Sequence, residues 1–278
     1  MIKKQNQFIG IFDSGAGGLS VLREIRTLLP QAPLYYLADQ AHVPYGKRQL
    51  AEIQTFSLAI SRFLIAKGAA LIVVACNTAS AAALSTLREH LPDTPFVGME
   101  PAVKPATLQT NSGVVGVLAT PATFQGKMFS TLVVRFAQNV TLLTNTLPGL
   151  VEAVEKGELN SPAVRQILES AIQPMLAQGA DTLVLGCTHF PFVLPLIREI
   201  TGPAVTLIDP APAIARRTAF LVEENRLTFD SAQPIFATSG DAARFGASVR
   251  TLINLHPEPI QLGWDEASGK ITETRNLK

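Results

Sequence analysis

The chain contains two cysteines, and they sit in matching contexts: LIVVACNTA around Cys76 and TLVLGCTHF around Cys187. In each, a short apolar run ends in a small residue, the thiol, and one or two hydrogen-bonding side chains. A helix-like stretch follows, AAALSTLREH after the first and PFVLPLIREI after the second. Runs of Val, Leu and Ile that give way to a polar turn and a helix read as strands of a parallel α/β sheet. Turns at the carboxyl ends of such strands are where these sheets hold ligands. One thiol therefore falls in each of two equivalent ligand-holding turns. Two thiols facing one carbon from opposite sides can take a proton from one face and return one to the other, which inverts a stereocentre.

Each thiol has polar neighbours. Cys76 precedes Asn77 and Thr78, and the helix that starts there favours a thiolate, which predicts a depressed pKa; an inert buried cysteine is the alternative. Cys187 precedes Thr188 and His189, and a histidine two residues from a thiol suits a proton partner or a plain turn cap. Two further turns follow strand-like runs. FDSGAGG carries Asp13, Ser14, Gly15, Gly17 and Gly18, so the backbone can approach a ligand closely and the next helix offers its N–H groups to an anion. Its spacing is neither a dinucleotide fingerprint nor a P-loop, and a tight turn capped by Asp13 also accounts for it. ADQAHVPYG carries Pro44, Tyr45 and Gly46, a rigid turn whose N–H groups suit a carboxylate or an ordinary loop.

The elements that must position these turns alternate throughout. Strand-like runs are expected at 8–12, 33–38, 70–75, 95–99, 114–119, 140–143, 182–186, 205–208 and 234–238. Helix-like stretches are expected at 18–29, 49–67, 79–90, 101–110, 121–137, 161–178, 190–200, 210–224 and 241–253. Alternation of this kind means α/β architecture with mainly parallel sheets. Aligning Cys76 with Cys187 superposes two strand–thiol–helix units, which fits two pseudo-symmetric lobes as well as the general likeness of βα units.

Composition narrows the function classes. The net charge of +1, with no long basic run, argues against nucleic acid as the main partner. The uncharged stretch 68–87 is interrupted by Cys76, Asn77, Thr78, Ser80, Ser85 and Thr86, so a strand, turn and helix are expected rather than a membrane span. The opening MIKKQNQ has no apolar segment behind its lysines, so a secretory signal is not expected and the cytoplasm is the default. In a reducing compartment the two cysteines are expected as free thiols, and without a nearby His/Cys cluster they make a poor zinc site.

Taken in order, Asp13-Ser14-Gly15 with Gly17-Gly18, Pro44-Tyr45-Gly46, Ala75-Cys76-Asn77-Thr78-Ala79 and Gly186-Cys187-Thr188-His189 resemble the glutamate racemases, within the aspartate/glutamate racemase superfamily. The resemblance covers essentially the whole chain. It implies two Rossmann-like or flavodoxin-like α/β lobes with the active site between them: residues 1–98 plus 210–278, and 99–209 inserted between. It implies racemisation of glutamate with no cofactor and no metal, supplying D-glutamate for peptidoglycan, cell-wall biogenesis and cell shape. Cys76 and Cys187 would be the acid/base pair, helped by Asp13, His189 and Glu155, with Glu152 close enough in VEAVEKG to compete for the last role. Asp13, Ser14, Tyr45, Gly46, Asn77, Thr78, Thr120, Thr123, Thr188 and His189 would bind or orient the substrate. The expected partner is the small-molecule substrate, with neither nucleic acid nor membrane, and with homodimer and monomer both open. Gly126 replaces the usual Ser after Thr120 and Thr123, and Glu100 stands where a neutral residue is more usual. Outside the family, a cysteine hydrolase with Cys187 as nucleophile and His189 as base is the competing reading, but it leaves Cys76 without a role.

Overall fold

The structure is a computed structural model that describes residues 7–265 and 267–274. Lys3 and Lys4, in the opening segment where no secretory signal is expected, lie outside the described residues. Two sheets organise the chain. The larger contains β1 (Phe8–Asp13), β2 (Leu34–Ala38), β3 (Ala69–Val74), β4 (Phe96–Gly98), β9 (Ile235–Thr238), β10 (Ile260–Asp265) and β11 (Lys270–Glu273). Its order is β11-β10-β9-β2-β1-β3-β4, parallel except for the antiparallel β10–β11 hairpin. The smaller contains β5 (Val114–Ala119), β6 (Thr141–Asn145), β7 (Thr182–Gly186) and β8 (Thr206–Ile208), in the order β6-β5-β7-β8, all parallel. The mainly parallel α/β class expected from the alternating runs is the one observed.

Parallel strands covered on both faces must be apolar at nearly every position. All six residues of β1 and all five of β7 are buried. Successive side chains then divide between two cores. Ile9 and Ile11 of β1 join Leu183 and Leu185 of β7 in one cluster with Leu22 of α1 (Leu19–Leu28) and Ile214 of α10 (Ala211–Glu224). Phe12, Leu37, Ile72 and Val74 face the other way, onto Ile60 and Leu64 of α2 (Leu50–Lys67) and Leu87 of α3 (Asn77–His90). Helix ends follow local chemistry. Gly68 closes α2 in the left-handed region at φ 108°, and Ser161 caps α8 (Pro162–Ala177) by accepting from the Val164 N–H at 3.3 Å.

Some elements differ from the sequence-based expectation. The helix expected over 121–137 is two helices, α5 (Pro121–Gln125) and α6 (Lys127–Phe136), separated at Gly126. A β-carbon at Gly126 would lie 2.8 Å from the Ala81 β-carbon, so α3 packs directly against this break. Helix α7 (Leu150–Glu155) and the β10–β11 hairpin were not expected at all. The helix has only six residues, and the hairpin buries only Leu262 and Ile271, so neither shows a strong periodic signal. The remaining helices are α4 (Val103–Gln109), α9 (Leu194–Thr201) and α11 (Ala242–Ile253). Among the described residues no helix is long and apolar enough to cross a membrane.

Asp181, just before β7, closes the turn that leads into β5. Its carboxylate accepts from Thr110 Oγ1 at 2.6 Å and from the Asn111 and Ser112 N–H groups at 2.7 and 2.8 Å. The small degree of burial opposes ionisation, but the Thr110 hydroxyl and the two N–H groups outweigh it and hold the pKa at about 2. A pKa below the ordinary 3.8 stabilises the fold above that value, and the stabilisation is lost as pH falls towards 2. Asp181→Asn is expected to cost about 1 kcal/mol at neutral pH, discounted because the group is largely solvated. Chemical denaturation should show the difference from wild type shrinking between pH 4 and pH 2; a difference independent of pH would contradict this account.

Candidate active site

Polar turns at the carboxyl ends of β1, β2, β3 and β7 converge between the two sheets. The one after β1 is all close contact. A β-carbon on Gly15 would collide with the Glu155 carboxylate, and one on Gly17 with the His189 ring and the Thr188 hydroxyl. A β-carbon on Gly46, in the turn after β2, would sit 2.8 Å from that of Thr120. These glycines let backbone from one sheet touch side chains borne by the other. Cys76 caps α3, its sulfur accepting from the Ala79 N–H at 3.4 Å and lying 3.9 Å from Ser14 Oγ. Cys187 follows β7 directly, with its sulfur 3.8 Å from His189 Nδ1. Both thiols are free and only 5% exposed.

The charged groups behind the thiols form one connected set. His189 Nε2 donates to Glu155 Oε1 at 2.7 Å, and the same oxygen accepts from the Ala16 N–H at 2.6 Å. Gln40 Nε2 donates to Glu155 Oε2 at 2.9 Å. Burial alone would lower the His189 pKa, but Cys187 and Glu155 beside it raise it well above the ordinary value. Burial alone would raise the Glu155 pKa, but His189, the Ala16 N–H and Gln40 hold it below the ordinary value. Both directions favour a charged His189–Glu155 pair, and His189 Nδ1 faces the Cys187 sulfur. On the other side, Asp13 accepts from the Gly15 N–H at 2.8 Å and from Thr188 Oγ1 at 3.1 Å. Burial raises the Asp13 pKa, and His189 pulls against that rise.

Cys76 departs from the expectation of a depressed pKa. Burial pushes it up to about 12, and the neighbouring Asp13 adds to the rise. The Ala79 N–H at the helix start and the Ser14 hydroxyl act in the opposite sense without overcoming it. In this state Cys76 is a protonated thiol.

A narrow cavity touches both sulfurs. Ser14, Pro44, Tyr45, Gly46, Asn77, Thr78, Thr120, Val151, Thr188 and His189 complete its wall. The space left is about 10 Å³, room for the centre of roughly one water. Among the described residues, both polar atoms of the Asn77 amide are buried without a hydrogen-bond partner. A buried amide in that condition costs free energy unless something else satisfies it, and Asn77 lines the cavity. Thr78 Oγ1 lies 2.8 Å from Thr120 Oγ1, which lies 2.9 Å from Thr123 Oγ1, so three hydroxyls bridge α3 and α5.

The expected site residues separate into two groups. Ser14, Tyr45, Gly46, Cys76, Asn77, Thr78, Thr120, Cys187, Thr188 and His189 line the cavity. Asp13, Thr123 and Glu155 do not line it but bond to residues that do. The Tyr45 hydroxyl points away, donating to Asp39 Oδ2 at 2.6 Å, so only the rest of that residue is available to a ligand. Of the two competing glutamates, Glu155 meets His189, whereas Glu152 pairs with Lys47 at the surface. Glu100 is exposed, and neither it nor Gly126 lines the cavity. Sequence reasoning missed Gln40 and Val151. Val151 lies one turn before Glu155 on α7, a signal readable only once that short helix is recognised.

Residues 9–218 match the family model for Asp/Glu/Hydantoin racemase. The glutamate racemase of Roseiflexus sp. (strain RS-1) is 50% identical over 248 residues, covering 88% of this chain and 91% of that protein. The chain belongs to the glutamate racemases of the Asp/Glu/Hydantoin racemase family. It is accordingly an isomerase, an amino-acid racemase. Two solved relatives share the fold. The Escherichia coli glutamate racemase, solved with L-glutamate and the activator UDP-MurNAc-ala, matches with a TM-score of 0.81 and 35% identity over 90% of this chain and 96% of that one. The Francisella tularensis enzyme, solved with D-glutamate, matches with a TM-score of 0.80 and 28% identity over 92% and 96%.

The contact between Gly15 and Glu155 yields a test. Gly15→Ala places a methyl group where the carboxylate sits, so Glu155 must leave the Ala16 N–H and loosen its hold on His189. Losing a hydrogen bond to a charged group is worth about 1.5–3 kcal/mol, so racemase activity should fall by about 10–100-fold in a protein with native circular dichroism. Unchanged activity in the alanine variant would show that the close approach is incidental.

Proposed function

We propose that the protein interconverts L- and D-glutamate without a cofactor, with Cys76 and Cys187 as acid and base on opposite faces of the α-carbon. The observation that carries this reading is one cavity lined by both thiols, each at the carboxyl end of a parallel strand in a different sheet. Relatives solved with the L and with the D enantiomer support glutamate as the substrate. On this reading the chain forms two lobes, residues 1–98 plus 210–278 and residues 99–209, with the substrate held between them. The product would be D-glutamate for peptidoglycan, and hence for cell-wall biogenesis and cell shape, made in the cytoplasm.

The physical problem is the weak acidity of the α-proton. With no electron sink, the protein must stabilise carbanion character through donors aimed at the carboxylate. Asn77, Thr78 and Thr188 are neutral donors suited to that task, and the orphaned amide of Asn77 fits a carboxylate oxygen. One sulfur must be thiolate and the other thiol, and their roles exchange with the hand of the substrate. The Cys76 thiol and the His189 ring beside Cys187 suit the direction in which Cys187 is the base. Cys187 would take the proton from L-glutamate and Cys76 from D-glutamate. Because the cavity holds so little free volume, substrate must enter a more open form, after which closure excludes water.

Purified protein should racemise either enantiomer with no added pyridoxal phosphate, and EDTA should leave the rate unchanged. Cys76→Ser and Cys187→Ser should each lower racemisation by about 10²–10⁴-fold, the usual worth of a positioned acid or base. Racemisation has an equilibrium constant of unity, so kcat/KM falls equally in both directions and cannot say which face was lost. Elimination can. The L and D forms of 3-chloroglutamate lose the α-proton to a thiolate and chloride from the β-carbon, and the resulting enamine hydrolyses to 2-oxoglutarate and ammonia. Cys187→Ser should lose elimination chiefly from the L form, and Cys76→Ser chiefly from the D form. Full racemisation by either variant would refute the two-thiol mechanism.

A further inference from the structure

We infer that Gln40 is a positioning residue for the Cys187 side of the reaction, oriented by Thr238 and acting through Glu155 on His189. The inference rests on the two-thiol reading above. Gln40 does not line the cavity, so any effect it has on chemistry must pass through another residue. Among the described residues its amide is the single side-chain group bonded to Glu155 Oε2, while Oε1 is shared by the Ala16 N–H and His189. Glu155 is only about 10% exposed, so water is a poor substitute for that donor.

The direction of the bonds is determined at the carboxylate. An ionised carboxylate oxygen can only accept, so the Gln40 NH₂, and not its oxygen, lies on Glu155 Oε2 at 2.9 Å. Gln40 Oε1 then accepts from the Thr238 hydroxyl at 3.1 Å, and Thr238 Oγ1 in turn accepts from the Gly240 N–H at 3.0 Å. The reverse amide orientation would set an oxygen against a carboxylate. The series runs from a backbone N–H at the end of β9, through Thr238, Gln40, Glu155 and His189, to the Cys187 sulfur. Each bond favours the ionised carboxylate and hence the proton on His189. The Gly240 backbone approaches Gln40 so closely that a β-carbon there would come within 2.7 Å of the Gln40 β-carbon. The preceding Asp39 is clamped by Tyr45, Ser239 and Trp264.

A positioning role on one side predicts a face-selective defect. Gln40→Leu removes both amide bonds at similar volume, and Thr238→Val removes the orienting hydroxyl, whereas Thr238→Ser retains it. Elimination from L- and D-3-chloroglutamate would be measured for each purified full-length variant. Gln40→Leu and Thr238→Val should slow the L form by about 10-fold or more and the D form by less than about 2-fold, and Thr238→Ser should restore the L rate. The D rate in the same sample reports intact protein, and Thr238→Val serves should Gln40→Leu fail to fold. Equal losses on both faces, or no loss on the L face, would overturn the inference. Cys187→Ser separates the two levels. If it loses the L face while the Gln40 and Thr238 variants behave as wild type, this inference alone fails. If it shows no preference for the L face, the two-thiol reading fails first.

Discussion

The buried pair of Glu155 and His189 is the interaction on which the arrangement of the site depends. A carboxylate and an imidazolium removed from water are stable together only when their remaining hydrogen-bonding positions are filled. Glu155 is borne on α7, in the segment between β6 and β7, yet the groups that fill its positions, the Ala16 N–H and the Gln40 amide, follow β1 and β2. The need to satisfy one charge therefore draws the larger sheet's turns onto the smaller sheet's helix. The glycines of the first turn follow from the same need, because backbone must come close enough for an N–H to reach the carboxylate.

Parallel topology supplies the rest of the convergence. Parallel neighbouring strands end on the same side, so β1, β2 and β3 deliver their turns to one edge and β7 delivers its own to the edge opposite. The turn after β2 is secured at a second point. Asp39 accepts from Tyr45, from Ser239 after β9 and from Trp264 in the β10–β11 hairpin, so a hairpin remote in sequence helps to hold a wall of the cavity. The Thr78–Thr120–Thr123 hydroxyls do the corresponding work across α3 and α5.

The two thiols lie in unlike electrostatic surroundings despite their like positions. Cys76 is buried beside the Asp13 carboxyl group, whereas Cys187 faces the His189 ring. The proposed two-thiol mechanism needs the two sulfurs in opposite protonation states at any moment. Asp13 lies near one thiol and His189 near the other, so on that proposal the two sulfurs are distinguished before substrate binds.

The class of fold and the chemical groups at the strand ends are readable from the residues alone. Buried parallel strands must be nearly all apolar and must end in polar turns, so β1, β3, β5 and β7 and the residues that follow them are readable without coordinates. Cys76 and Cys187, with Asn77, Thr78, Thr188 and His189, are legible for the same reason, since each adjoins such a strand. What the sequence left open depends on contacts between distant segments. Whether Glu155 or Glu152 reaches His189 turns on which face of a six-residue helix meets that ring, and the Cys76 pKa turns on how far burial and Asp13 outweigh a helix terminus. Gln40 sits in an ordinary-looking turn, and only the fold brings Thr238 to one end of its amide and Glu155 to the other. Local pattern sets what each strand end carries. Which strand ends face one another, and with what charge between them, is decided by packing across more than a hundred residues of chain, as the contact of Ala16 with Glu155 at a separation of 139 shows.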